Sequence, residues 1–195
     1  PHGSPDFFQP GDIDTILDAN WRVHYNSDRT GVRLIGPKPK WARTDGGEAG
    51  LHPSNVHDCE SAVGSINFTG DSPVILTCDG PSLGGFVCPF TIARAELWKV
   101  GQVKPGDSIR FKAISAEDAV ALEAAQIGRI ESLSPTAKPT LPAPSLLPDT
   151  TPSATIVARV EANGHHPDIV YRQAGDTYLL LEYGENLLDM ALRLR

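Results

Sequence analysis

The chain has 195 residues, of which 40% are hydrophobic and 21% charged, enough apolar material for one or two packed domains rather than a disordered chain. Its formal net charge of -7 argues against nucleic acid or an anionic membrane surface as the main partner. No apolar run reaches the roughly 20 residues that cross a bilayer, and the N-terminus lacks the pattern of a secretion signal.

The cysteines add a second constraint. Cys59, Cys78 and Cys88 are odd in number and form no C-x-x-C pair. This usage predicts reduced thiols in a cytoplasmic protein rather than a disulfide framework. No histidine partner for a catalytic thiol is evident from the spacing.

The first part of the chain is predicted to consist of short strands. After a helix over residues 13–19, strand patterns at 21–25 and 32–36 flank a polar, glycine-ended connection, as in a hairpin or barrel corner. Residues 37–60 are predicted to be an irregular loop, whose charged and histidine content favours a working loop over a solvated one. Further strands are predicted at 62–68, 73–77, 91–100 and 108–113.

Segment 75–86 organises this part. An apolar strand enters it, Asp79-Gly80-Pro81 breaks it, and Gly84-Gly85 follows. Such a glycine turn exposes backbone N–H groups and lets a ligand approach closely.

The chain changes character after residue 133. Ser115 and Asp118 resemble a capping box, which predicts a helix over 116–133 with Val120, Ala124, Ile127 and Ile130 on one apolar stripe. Residues 134–153 have the proline-rich composition of a linker. Beyond it, strands are predicted at 154–160 and 178–183, a turn at 171–176, and an amphipathic helix from Asn186 to the end.

The order of motifs resembles a known pair of families. Segments 26–34 (NSDRTGVRL), 64–68 (GSINF), 79–86 (DGPSLGGF) and 101–107 (GQVKPGD) resemble the KipA-type family, allophanate hydrolase subunit 2. Segment 46–58 (GGEAGLHPSNVHD) is similar to its urea carboxylase branch. Segment 171–178 (YRQAGDTY) with Glu182-Tyr183-Gly184 and Leu188-Asp189 resembles the opening of the KipI-type family.

The resemblance implies a tandem carboxyltransferase domain of the urea carboxylase and urea amidolyase type. Its fold would be mainly β: a cyclophilin-like β-barrel over 1–133, the linker at 134–153, and the truncated α+β start of a KipI-type domain over 154–195. Both ends look cut, so the piece is expected to be inactive alone.

The implied reaction moves CO₂ from carboxybiotin to urea and gives allophanate. Biotin would arrive on a separate carrier domain, ATP would be used by a biotin carboxylase domain, and the rest of the KipI-type domain would be a further partner. Two alternatives stay open: a 5-oxoprolinase subunit, and a non-catalytic regulatory module that binds other proteins.

The catalytic candidates are Asp28, Arg29 and Arg33. Carboxyl transfer needs cations that hold carboxylate or ureido oxygens and a group that takes a proton from nitrogen. Arg29 and Arg33 match the family motif, although an ion pair with Asp28 or a neighbouring strand is the structural alternative. The base is left open between Asp28 and Asp79.

The substrate-binding candidates are polar loop residues and the backbone of the glycine turn, where N–H groups would form an oxyanion nest. The family more often has Thr-Thr-Gly-Gly-Tyr where this chain has Ser82-Leu83-Gly84-Gly85-Phe86, which excludes hydroxyl roles at Leu83 and Phe86. The spacing of the two loop histidines fits no common zinc pattern, so no metal is predicted. The candidates are Asn26, His52, His57, Asp79, Gly84, Gly85 and Phe86.

Overall fold

The computed structural model describes residues 7–133 and 156–184 and confirms a mainly β protein. Its helices are α1 (Asp12–Asp18), α2 (Leu97–Val100) and α3 (Ala116–Ser132). Its strands are β1 (Trp21–Val23), β2 (Gly31–Ile35), β3 (Asn55–Glu60), β4 (Ser65–Thr69), β5 (Ser72–Leu76), β6 (Leu83–Phe86), β7 (Phe90–Thr91), β8 (Ser108–Ile109), β9 (Ile156–Val160), β10 (Ile169–Ala174) and β11 (Tyr178–Tyr183).

Six strands form one open antiparallel sheet in the order β7-β4-β5-β2-β1-β8, half of a barrel rather than a closed one. β1 pairs with β2, as the predicted hairpin requires, with Arg22 opposite Ile35. β4 and β5 pair through Thr69 and Ser72, so only Gly70 and Asp71 make the turn between them. Two smaller sheets, β3-β6 and β11-β10-β9, complete the described strands.

The core lies under the large sheet and is centred on aromatic rings. Trp21 is fully buried, and its indole N–H donates to the Ile16 carbonyl at 2.9 Å, which ties α1 to β1. Phe8 stacks on Trp41 with ring centroids 5.0 Å apart, and both rings meet Phe68 edge to face. Aromatic pairs of this geometry add stability beyond the area that they bury.

The predicted glycine turn is corrected in part. The Gly80 N–H donates to the Thr77 carbonyl at 2.9 Å, as a turn there requires. The following residues, however, form β6, which pairs with β3. A Cβ on Gly85 would lie 3.0 Å from the Val56 carbonyl oxygen, so this glycine allows two strands to approach closely. The end of the predicted loop at 37–60 is likewise a strand, β3.

The predicted strand at 91–100 is wrong beyond its first residue. β7 ends at Thr91, and the chain then forms a 3₁₀ turn (Arg94–Glu96) and α2. The Asp176 carboxylate accepts the Arg94 N–H at 3.1 Å, so the turn is capped by a residue 82 positions away. A tertiary contact of this kind leaves no local signal in the sequence. The predicted strand at 108–113 shortens to β8 because only these two residues pair with β1.

The predicted turn at 171–176 is also wrong in part. Tyr171 to Ala174 belong to β10, paired residue by residue with β11, and the turn occupies only the positions between the two strands. Gly175 has φ 72° there, and a Cβ on it would lie 2.8 Å from the Thr91 Cγ2. The turn therefore packs against the first part of the chain and anchors the three-stranded sheet to it.

Helix α3 confirms the predicted start and end. The Ser115 hydroxyl accepts the Asp118 N–H at 3.0 Å, and Leu133 caps the C-terminus with φ 49°. The apolar stripe is more exposed than an amphipathic pattern suggests, with Val120 52% and Ile130 66% exposed. The predicted linker at 134–153 and the predicted helix from Asn186 lie outside the described residues.

Membrane crossing by a helix requires both length and a high mean hydropathy. No helix in the described part of the chain combines the two, so none of them could span a bilayer.

Gly36 provides a test of core packing. A Cβ there would lie 2.4 Å from Cε3 of Trp21, whose indole is held by its hydrogen bond to Ile16. Gly36→Ala should therefore destabilise the chain by about 1–3 kcal/mol, the usual cost of overpacking. Gly128→Ala, exposed on α3 with open space around it, is the matched control and should be neutral or stabilising. Guanidinium-induced unfolding measures the stability of both variants. Equal unfolding midpoints for Gly36→Ala and wild type would contradict the close contact between residue 36 and Trp21.

Candidate functional site

An open cleft of about 540 Å³ lies where the β1–β2 connection, the chain after β2 and the β4–β5 turn meet. The strand pairing explains its position, because antiparallel β2 and β5 bring the end of one beside the start of the other. Both charge signs are present on its walls. Its lining residues are His24, Asn26, Asp28, Arg33, Leu34, Ile35, Gly36, Lys38, Asp71 and Ser72.

Asp28 is held in the cleft by a local turn. Its Oδ1 accepts the Thr30 hydroxyl at 2.6 Å and the Thr30 N–H at 2.8 Å. These hydrogen bonds, the side-chain one first, hold the pKa of the Asp28 carboxyl below its ordinary value. Both of these hydrogen bonds go to Oδ1, and Asp28 is one of the residues that line the cleft. An ionised carboxylate in this position can orient N–H donors of a ligand.

Arg33 comes from the solvent-facing side of β2. Its N–H donates to the Ser27 hydroxyl at 3.0 Å, and its carbonyl accepts the His24 N–H at 2.9 Å, which fixes the backbone across the corner. No carboxylate of the described residues lies within ion-pair distance of its guanidinium, although the positive charge lowers the pKa of Asp28. The guanidinium therefore has its fork of donors available for a ligand in the cleft.

His24 completes this side of the cleft, beside Asn26. Its Nδ1 accepts the Asn26 N–H at 3.0 Å, and its ring stacks on exposed Tyr25 with centroids 4.3 Å apart. Accepting at Nδ1 places the proton of the neutral ring on Nε2. Nε2 is then a second donor for a ligand.

Asp71, in the β4–β5 turn, also lines the cleft and has three donors around its carboxylate. Its Oδ1 accepts the Trp41 indole N–H at 2.9 Å and lies 3.2 Å from His52 Nε2, while its Oδ2 pairs with Lys38 Nζ at 3.1 Å. The Trp41 hydrogen bond, followed by Lys38 and His52, holds the pKa of Asp71 below its ordinary value of 3.8. The carboxylate thus joins the loop after β2 to the β4–β5 turn.

His52 reaches the cleft only through Asp71. Its Nδ1 accepts the Ser54 N–H at 3.1 Å and lies 2.9 Å from the Ser54 hydroxyl. The Asp71–His52–Ser54 series looks like a nucleophilic triad, but Ser54 is fully buried and its hydroxyl also accepts the Gly70 N–H. A buried hydroxyl cannot attack a substrate, so the series is structural.

Arg29 and Asp79 pair with each other. Their Nε and Oδ2 atoms lie 3.0 Å apart, with the side chains 84% and 54% exposed. This is the ion-pair alternative that the sequence left open, although the partner is Asp79 rather than Asp28. Neither residue lines the cleft. An exposed pair of this kind is worth at most about 1 kcal/mol, so it can open for a ligand.

The remaining sequence candidates lie on the β3-β6 sheet. His57 is in β3, and Gly84, Gly85 and Phe86 are in β6, with Phe86 opposite Asn55. None of them lines the cleft. Successive N–H groups of an extended strand point to opposite sides, whereas a nest needs them to converge. Their substrate-binding roles stay predictions.

The three cysteines are free thiols, as predicted. Burial, with nearby Cys88 as the next cause, raises the pKa of Cys59 to about 12. Cys88 is buried as well, and burial raises the pKa of its thiol. Thiols held protonated in this way are poor nucleophiles. Among residues 7–133 and 156–184 no group of three or more metal-ligating side chains occurs.

Sequence reasoning missed His24, Lys38 and Asp71 as site residues. Lys38 stands between two prolines and is distinguished in the sequence only as part of a charged loop. Asp71 follows Gly70, whose φ of 65° marks a tight turn, and such a turn predicts a polar residue without indicating its partners. The spacing of residues in the sequence could not predict that Lys38 and Asp71 are in contact, because the pairing of β2 with β5 brings them together.

The open antiparallel sheet and its charged cleft describe a mainly β protein with a polar cavity of about 540 Å³. The model of the family "carboxyltransferase domain, subdomain A and B" matches residues 1–113, more than half of the sequence, so the chain belongs to this family.

Relatives agree with this assignment. The chain is 56% identical over 196 residues to urea amidolyase of Saccharomyces cerevisiae, a match that takes in 100% of the chain and 11% of that protein. The Kluyveromyces lactis urea carboxylase crystal structure is 52% identical with a TM-score of 0.86, covering 97% of this chain and 17% of that one. Similarity to a 5-oxoprolinase subunit of Haemophilus influenzae is lower, 27% over 103 residues, covering 52% of the chain and 30% of that protein. The chain thus spans only a small part of the urea-processing relatives.

The three donors on Asp71 make its stabilising effect dependent on pH. Because its pKa is lower in the folded chain, this stabilisation is complete above the ordinary pKa of 3.8 and is lost as the pH falls through the folded value. The free energy of unfolding should therefore differ between wild type and Asp71→Asn at about pH 6, and the difference should shrink below about pH 3.8.

Thermal unfolding followed by circular dichroism across this range measures the effect. Asp45→Asn is the control, because Asp45 is an exposed carboxylate in the same long loop. A difference between wild type and Asp71→Asn that stays constant with pH would show that the charge on Asp71 is not what joins the loop to the turn.

Proposed function

We propose that this chain is part of a biotin-dependent carboxyltransferase that carboxylates urea to allophanate. The observation that carries the proposal is the 56% identity to a urea amidolyase along the whole chain, together with a cleft in which Arg33, Asp28 and Asn26 meet. Of the site residues predicted from the sequence, these three line the same cavity.

The reaction makes one C–N bond and breaks another. A urea nitrogen attacks the carboxyl carbon, the bond from that carbon to the donor nitrogen breaks, and the proton lost by urea is returned to the donor nitrogen. The site must orient the urea N–H groups, hold the carboxylate and guide the proton. No oxidant or reductant is needed.

The cleft residues suit these tasks. Asp28 lines the cleft and its lowered pKa keeps it ionised, so its carboxylate would accept hydrogen bonds from the urea N–H groups. Its lowered pKa makes it a better orienting group than a base, because a weak base takes a proton less readily. The Arg33 guanidinium would hold the carboxylate through charge-assisted hydrogen bonds. These hydrogen bonds strengthen as negative charge develops on the carboxylate oxygens. Asn26 would hydrogen-bond the urea carbonyl.

The residues present fit a carboxylated ureido ring. A cleft of about 540 Å³ with both cations and carboxylates is large enough for a bicyclic ligand beside urea and offers donors for its oxygens. When bound, carboxylated biotin would supply the carboxyl group. Arg33, with His24 Nε2, would hold that ligand by its oxygens.

The parent protein would supply the other parts. A carrier domain would bring biotin, and a biotin carboxylase domain would use ATP to load it. The remaining part of a KipI-type domain would be a further partner. Reduced cysteines suit a cytoplasmic enzyme.

Urea is favoured over 5-oxoproline by extent of similarity. The 5-oxoprolinase relative matches 52% of the chain at 27% identity, whereas the urea amidolyase matches all of it at twice that identity. No contact described in the cleft favours a purely regulatory binding role.

A chimaera tests the proposal directly. This chain would replace the matching 196-residue segment of the Saccharomyces cerevisiae urea amidolyase. We expect urea-dependent formation of allophanate. Bicarbonate-dependent ATP cleavage without urea is the control for the carboxylase part. A chimaera that retains the control reaction but carboxylates no urea would contradict the proposal, and turnover of 5-oxoproline would favour the alternative.

Within that chimaera, Arg33→Ala should lower kcat/KM for urea by about ten- to a hundredfold, the loss expected for charged hydrogen bonds. Its melting temperature should stay within a few degrees, because the guanidinium pairs with no described carboxylate. Arg159→Ala removes another exposed strand arginine, in β9, and should leave kcat/KM unchanged. A large loss of stability with normal turnover would assign Arg33 to structure.

A further inference from the structure

Lys38 is a cation of the cleft that the proposed function has not yet used. It lines the same cavity, and its side chain is 76% exposed. It follows Pro37 in the chain that leaves β2, whereas Arg33 belongs to β2 itself. The cleft therefore has two cations on separate segments.

Asp71 holds the Lys38 ammonium in place but uses only part of its hydrogen-bonding capacity. One contact joins Nζ to Asp71 Oδ2 at 3.1 Å, and an ammonium carries three N–H donors, so two remain. The Trp41 indole N–H and His52 Nε2 contact the other oxygen of Asp71, Oδ1. These donors reduce the negative charge that Asp71 presents to an incoming anion.

We propose that Lys38 is a second carboxylate-binding residue of the cleft, positioned by Asp71, and that it acts with Arg33 on the carboxylate of donor and product. The inference rests on the proposed function for the identity of the ligand, since allophanate is an amide at one end and a carboxylate at the other. A carboxylate between two cations gains from both, whereas a neutral amide in its place does not. The Asp28 carboxylate would repel the carboxylate end of the ligand and attract the amide end.

This arrangement gives the cleft a direction. The carboxylate end of the ligand would lie toward Lys38 and Arg33, and the amide end toward Asp28 and Asn26. Lys38 would therefore let the cleft discriminate between charged and neutral ligands, in addition to raising affinity.

Two ligands of nearly the same shape test it. Malonamate has one carboxylate and one amide, and malonamide has two amides. NMR titration of the 195-residue chain should give a Kd for malonamate at least about fivefold lower than for malonamide. Lys38→Met should remove most of this preference, and Lys38→Arg should retain it.

Lys104 offers a matched control. It pairs with Asp107 at 2.8 Å and is 78% exposed, against 3.1 Å and 76% for Lys38, but it lies away from the cleft. Lys104→Met should leave the preference intact. Circular dichroism checks that each variant is folded.

The outcomes separate this inference from the proposed function. No preference for malonamate in wild type, or a preference that survives Lys38→Met, overturns the role of Lys38 whatever the chimaera does. A preference lost equally in Lys104→Met would mean that net charge alone attracts the anion, which also overturns it. A preference that depends on Lys38 in a chain whose chimaera fails to carboxylate urea would keep the carboxylate site and reject urea carboxylation.

Discussion

The cleft depends on one carboxylate, that of Asp71, at a two-residue turn. It accepts the indole N–H of buried Trp41 and pairs with Lys38 and His52, so one side chain fixes three positions of the loop between β2 and β3. The hydrogen bond from the Trp41 indole to this charged group is worth roughly 1.5–3 kcal/mol. The pair with Lys38, whose side chain is 76% exposed, adds at most about 1 kcal/mol. Asp71 therefore helps to hold the loop against the end of β2 and the start of β5, beside the cleft.

The same loop is tied down at other points. Trp41 has φ 49°, a strained conformation for a large side chain, and its ring is held between Phe8 and Phe68. The next-door Lys40 N–H donates to both oxygens of buried Asp12, at 3.0 and 3.1 Å. Packing and hydrogen bonding together offset the backbone strain. As a result, the segment that carries Lys38 is fixed by contacts to α1, to the aromatic core and to the β4–β5 turn.

Local patterns predicted much of this molecule, and tertiary contacts decided the rest. The strand alternation at β1, β2, β4 and β5 and the Ser115 cap follow from residues close in sequence. The prediction at Gly85 was wrong because a glycine pair usually indicates a turn. Here the glycine instead lets strand β6 approach Val56 closely. The motif around Asn26, Asp28 and Arg33 identified one side of the cleft, but Lys38 and Asp71 are joined only by strand pairing that no spacing reveals.

The most direct test of the proposed carboxylate site is a crystal structure of this chain with malonamate bound. The carboxylate should lie about 3 Å from the Arg33 guanidinium and from Lys38 Nζ, with the amide toward Asp28. Malonamate seated instead against the backbone of Gly84 and Gly85 would contradict the assignment of the cleft and return the site to the glycine pair.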